Sequence, residues 1–189
     1  MPSIDLGGHK IGSGHSVFII AEAGVNHNGD VELARRMVDA AAEAGADAVK
    51  FQTFSADRLV IRHAGKAAYQ KQTTDAEESQ HAMLKRLELS HADHERLFNH
   101  AAARGITLLS TPFDDESLDM LVELGIPAIK IGSGELTNLP LLERAAAAGK
   151  PIILSTGMAY LSEVEYAVRN IQEHGAPPLA LLHCVSNYP

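Results

Sequence analysis

The feature that most constrains this chain is a degenerate repeat in which a helical pattern stops at a glycine and an apolar, β-rich run follows within a few residues. The junctions read AGADAVKFQT, ARGITLLSTPF, LGIPAIKIGSG, AGKPIILSTG and HGAPPLALLHC, with Gly45, Gly105, Gly125, Gly149 and Gly175 as the stops. Glycine suits such a place because the residue past a helix end often turns left-handed, a conformation costly for other residues. A sixth run, VFIIAEAG, precedes the first helix. Runs that are apolar almost throughout, rather than alternating, are what a sheet buried on both faces requires.

Strand starts near Phe18, Ala48, Thr107, Ala128, Ile152 and Leu179 stand about 30, 59, 21, 24 and 27 residues apart, and all but the second spacing suit a minimal βα unit. The helices between them have readable starts. Asp30 precedes VELARRMVDAAAEA, Ser90 has Asp93 three residues on, and Ser162 with Glu165 reads as a capping box. Leu33, Met37, Val38 and Ala41 give the first helix one apolar face. The long spacing carries an insertion, roughly Ser55 to Leu89, rich in Lys, Gln, Thr, Glu and His, which reads as a long loop after the second strand, of a kind that is functional or disordered.

Alternating βα units imply an α/β fold with a parallel sheet, either closed as a (β/α)8 TIM barrel or open and doubly wound. The barrel is favoured, because AEAGVNHNGD does not supply the G-x-G-x-x-G turn expected of a dinucleotide-type open sheet. Six strands do not close an eight-stranded barrel. The expectation is therefore that residues 1–189 hold about six βα units, the N-terminal portion of a TIM-barrel domain cut after its sixth strand.

Composition narrows the partners. The chain of 189 residues carries 24 acidic and 16 basic side chains, a formal charge of −8, which disfavours a broad grip on nucleic acid or an anionic membrane. One cysteine, Cys184, cannot form an internal disulfide, and no apolar run reaches bilayer-spanning length. MPSIDLGGHKIGSGH lacks the apolar stretch of a signal peptide, so a cytoplasmic protein is expected.

In both architectures the ligand sits at the carboxyl ends of the strands. Those ends carry Glu22, Asn26 and His27; Lys50 and Gln52; Ser110 and Thr111; Lys130, Ser133 and Glu135; Ser155 and Thr156; and His183, Ser186, Asn187 and Tyr188. Lys50 and Lys130 say most, because each interrupts an apolar strand where an unpaired ammonium is costly to bury. Each is a structural ion pair, an anion clamp or a Schiff-base lysine. Two lysines among serines and threonines favour a clamp for a phosphorylated substrate, since a Schiff base would explain only one. Glu22 and Glu135 are candidates for general acid or base, for holding sugar hydroxyls, or for a helix cap or salt bridge. His27 and His183, far apart in sequence, are weak evidence for a metal and read first as structural or exposed histidines, and adjacent strand residues His183 and Cys184 point to opposite faces, against a thiol mechanism.

Taken together, FIIAEAGVNHNGD, AVKFQTF, STPFD, IKIGSGELTNLPLL, PIILSTGM and LLHCVSNYP resemble the sialic acid synthase family, from about Phe18 to Pro189. The resemblance implies a TIM barrel followed by a small antifreeze-like domain, the latter absent here. It also implies condensation of phosphoenolpyruvate with N-acetylmannosamine or a related amino sugar, releasing phosphate. By the same resemblance, Lys50, Thr111, Lys130, Ser133, Ser155 and Ser186 bind phosphoenolpyruvate, Glu22 and Tyr188 contact the sugar, and Glu135 handles protons. A divalent metal is implied, manganese first, with magnesium or cobalt as alternatives, and so is a homodimer. The family's metal-binding histidines lie beyond the sixth strand, so no residue of this chain is assigned to the metal. Related readings change the sugar, to legionaminic, pseudaminic or spore-coat synthases, or leave a non-catalytic phosphate-binding half-barrel. The stretch from Tyr69 to Gln80 leans toward the sialic and legionaminic branch.

Overall fold

A computed structural model describes residues 3–61 and 78–186. The chain opens with an antiparallel hairpin, β1 (Ile4–Leu6) and β2 (His9–Ile11), joined by Gly7 and Gly8, both at positive φ as a two-residue hairpin turn requires. Among the described residues six further strands follow, parallel within each of two sheets. The first three, β3 (Ile20–Gly24), β4 (Ala48–Thr53) and β5 (Thr107–Pro112), form one sheet in that order. The other three, β6 (Ile129–Ile131), β7 (Ile152–Ser155) and β8 (Leu179–Leu182), form a second, and β5 packs beside β6. Each strand starts within two residues of its position in the sequence reading, and all five stop glycines have positive φ.

Among the described residues the helices are α1 (Val31–Glu43), α2 (Ala56–Leu59), α3 (Gln80–Leu87), α4 (His91–Arg104), α5 (Asp115–Glu123), α6 (Leu139–Ala147) and α7 (Leu161–Glu173). Asp30 caps α1 by accepting from the backbone N–H groups of Glu32 and Leu33, and Ser90 with Asp93 forms a capping box on α4. The start of α7 differs from expectation. The helix begins at Leu161, and the box carboxylate is Glu163, which accepts from Tyr160 N at 2.7 Å, not Glu165. Glu165 instead pairs with Arg169 one turn on. The expected long loop after β4 is in part helical, holding α2 and α3, while residues 62–77 lie outside the described residues.

Period-two alternation divides the strand residues between two environments. On the helix side, Val49, Phe51 and Leu108 pack with Val38 and Leu97, while Ile129, Ile131, Ile152 and Leu154 pack with Leu121, Leu142 and Ile171. On the opposite side, Ala48, Leu109, Ala128 and Ile153 close around Leu6 of the hairpin, which is wholly buried. One apolar side chain from the first strand thus joins both three-stranded sheets. Two residues further along the same strands, on the same side, stand Lys50, Thr111, Lys130 and Ser155. The polar cluster is consequently layered directly above the Leu6 plug.

Candidate active site

Lys50 lies opposite Glu22 in the β3–β4 register and is only 7% exposed. Its Nζ donates to both Glu22 oxygens, at 3.0 and 2.8 Å, and to Thr111 Oγ1 at 3.2 Å. The structural ion pair that the sequence left open for this lysine is present. Lys130 is equally buried but makes a different set of contacts, donating to Ser155 Oγ at 2.6 Å and to its neighbour's carbonyl, Ile131 O, at 2.8 Å. Among the described residues no carboxylate pairs with it. Burial, and then the charge of Lys50, hold the Lys130 ammonium down at about 8, against the opposing pull of Glu22 and Cys184. A buried cation hydrogen-bonded only to neutral oxygens, with a second cation nearby, is a place for an anion.

The loops after β6, β7 and β8 supply hydroxyls. Ser133 opens a 3-10 turn, Ser133–Glu135, and its Oγ accepts from Gly157 N at 3.0 Å while standing 3.4 Å from Cys184 Sγ. Ser186 Oγ comes up to the same glycine. Glu135 is half-buried, and its Oε2 accepts from Asn138 Nδ2 at 2.7 Å, which fixes the carboxylate at the start of α6. Lys50, Thr111, Lys130, Ser133, Ser155 and Ser186 are all placed at the carboxyl ends of strands, as expected, with Glu22 on Lys50. Tyr188 and Asn187 lie outside the described residues.

Two sequence assignments to this rim are corrected. Ser110 points to the helix side, where its Oγ lies 2.7 Å from Thr53 Oγ1, which in turn meets His94 Nε2 at 2.9 Å. Thr156 spends its hydroxyl on Leu182 O at 2.9 Å. Cys184 lies past the end of β8 and half-buried against Ser133. Burial raises its pKa, but hydrogen bonds from Ser133, from the Thr156 and Gly157 backbone and from Ser155 outweigh this and hold the thiol below its ordinary value. His183 is exposed. Cys184, Asn138 and Gly157 were missed as site residues, and the signal that could have found Gly157 is its place directly after a strand-end Ser-Thr pair.

His27 is wholly buried near Phe51, its Nδ1 accepting from Gly29 N at 3.0 Å. Burial, with His94 nearby, lowers its pKa, so it stays neutral and supports the turn after β3. Among the described residues no group of three or more His, Cys, Asp or Glu side chains could hold a metal ion. The described residues thus supply no such cluster for the divalent ion implied by the resemblance, and none of their chemistry is assigned through a metal.

Residues 37–189 match the model of the NeuB family. The chain belongs to the NeuB family. Relatives of this NeuB-family chain include the N,N'-diacetyllegionaminic acid synthase of Legionella pneumophila, 50% identical over 94% of this chain and 51% of that protein. The N-acetylneuraminate-9-phosphate synthase of Mus musculus is 33% identical over 96% of this chain and 50% of its own length. The NeuB-family chain thus spans about half the length of these curated relatives. Among solved structures, the N-acetylneuraminic acid synthetase of Leptospira borgpetersenii, in complex with citrate, superposes with a TM-score of 0.84 at 39% identity, covering all of this chain and 61% of that one. The fold is accordingly α/β with parallel sheets, of the kind found in that synthetase. No helix among the described residues is long and apolar enough to cross a membrane.

Proposed function

We propose that this chain is the N-terminal portion of a (β/α)8 barrel that condenses phosphoenolpyruvate with N-acetylmannosamine or a related amino sugar to give a nonulosonic acid and phosphate. The observation that carries the reading is the pair of buried lysines, Lys50 hydrogen-bonded to Thr111 and Lys130 to Ser155, with Ser133 and Ser186 on the adjoining loops. Phosphoenolpyruvate brings a phosphate and a carboxylate on a small frame, and two ammonium groups with hydroxyl donors suit both.

In the proposed reaction the enolpyruvate methylene carbon attacks the aldehyde carbon of the open-chain sugar, forming a carbon–carbon bond and leaving an oxocarbenium centre and an alkoxide. Water adds to the cationic carbon, losing a proton, and the new hydroxyl collapses to the keto group as phosphate departs with cleavage of its carbon–oxygen bond, carrying the hydroxyl proton away. The alkoxide gains the proton that the water gave up. Glu135, anchored by Asn138, is the group suited to carry that proton, and Glu22 stands where it can hold sugar hydroxyls beside Lys50. The greater identity to the legionaminic acid synthase than to the neuraminate-9-phosphate synthase favours a diacetylated amino sugar as the partner substrate. The complete protein is read as a cytoplasmic homodimer using manganese, or else magnesium or cobalt.

Calorimetry with phosphoenolpyruvate tests the site. The chain should bind it, and Lys130→Ala should abolish binding; no binding by the unsubstituted chain overturns the reading. Phosphate release measured with phosphoenolpyruvate, amino sugar and manganese tests the chemistry. Any turnover that Glu135→Gln left unchanged would remove Glu135 from proton transfer.

A further inference from the structure

Gly157 follows Thr156 in the turn after β7, and its φ is not in the left-handed region that favours glycine. Backbone conformation therefore gives no reason for a glycine here. Space does. A Cβ at this position would stand 2.6 Å from Ser186 Oγ, 2.9 Å from Ser133 Oγ and 3.3 Å from Cys184 O. The first two distances are far inside van der Waals contact, so the hydroxyls occupy the room a side chain would take. The Gly157 N–H also donates to Ser133 Oγ, which leaves the serine's own proton free to point toward Cys184 Sγ or a ligand.

We propose that Gly157 is a positioning residue for the bound anion: its bare Cα lets the Ser133 and Ser186 hydroxyls, from the loops after β6 and β8, converge on one point, while its N–H orients Ser133. The inference rests on reading this cluster as the phosphoenolpyruvate site. The atoms a methyl group would displace are mainly the ends of rotatable serine side chains, and the one backbone atom, Cys184 O, need shift by only a fraction of an ångström. Substitution should thus move the donors and spare the fold.

The test compares the unsubstituted chain, Gly157→Ala, Ser186→Ala and the double variant, by calorimetry with phosphoenolpyruvate and by urea unfolding. Gly157→Ala should weaken binding about tenfold or more, the scale of losing a hydrogen bond to a charged group, with an unchanged urea midpoint. In the double variant the two losses should combine to less than their product, because the methyl group and Ser186 Oγ contest the same space. Three results overturn the proposal: unchanged affinity in Gly157→Ala, losses that multiply, or an affinity loss accompanied by unfolding. Inorganic phosphate serves as a second probe. If the unsubstituted chain binds phosphate but not phosphoenolpyruvate, the substrate reading falls and the glycine is judged on phosphate; if it binds neither, both fall.

Discussion

Lys130 shows how a single residue trades stability for binding. Its folded pKa of about 8 lies below the ordinary lysine value, so below pH 8 the ammonium costs the folded state its full desolvation penalty. That cost fades as pH rises from about 8 toward the unfolded value, so this group's contribution to stability improves over that range. Anion binding has the opposite sense, since the protonated form is the one that attracts it. Phosphoenolpyruvate affinity should fall from about pH 7 to about pH 9, with proton uptake on binding in that window. Calorimetry in buffers of different ionisation enthalpy checks this, and a flat affinity would mean that Lys130 does not hold the ligand as an ammonium. Lys50 behaves differently because Glu22 already neutralises it, and an incoming anion must share that lysine with the carboxylate.

At the scale of elements, the strands deliver chemistry through their alternation. Leu6→Ala should destabilise the chain by about 2–5 kcal/mol, the usual range for a buried leucine, as measured by urea unfolding. It should also weaken phosphoenolpyruvate binding, because Lys50, Thr111, Lys130 and Ser155 stand one pleat above the plug. A loss within about 0.5 kcal/mol would show that Leu6 does not tie the two sheets together. The strands were legible in the sequence because each apolar run is closed off by a glycine stop. The hairpin was not, although the Gly-Gly pair between short β-prone segments is a hairpin signal. Ser110 was misassigned because sequence position tells how far along a strand a residue lies, and only register and curvature tell which face it serves. Thr156 and Cys184 depended on how three loops meet, and separate loops carry no common period in the sequence. The Ser162 cap failed because its competitor, Glu163 reaching back to Tyr160, matches the same spacing two residues earlier.

Across the whole molecule, β8 pairs with β7 alone among the described residues, and Leu181, Leu182 and Val185 beside it are exposed. Unpaired strand edges with apolar flanks template association. The 189-residue chain should therefore self-associate as its concentration rises, and Leu181→Lys should reduce this in sedimentation velocity; equal association by both would place the contact elsewhere. The Leu6 plug has a further consequence, in time rather than energy. Its fully buried partners run from Ala48 to Ile153, so its socket cannot form from local contacts alone. Such non-local closure is slow, and the plug has no complete socket until strands from both sheets have assembled. Refolding should end with the seating of the N-terminal hairpin, and the lysine cluster above it should gain its ligand affinity only in that last phase.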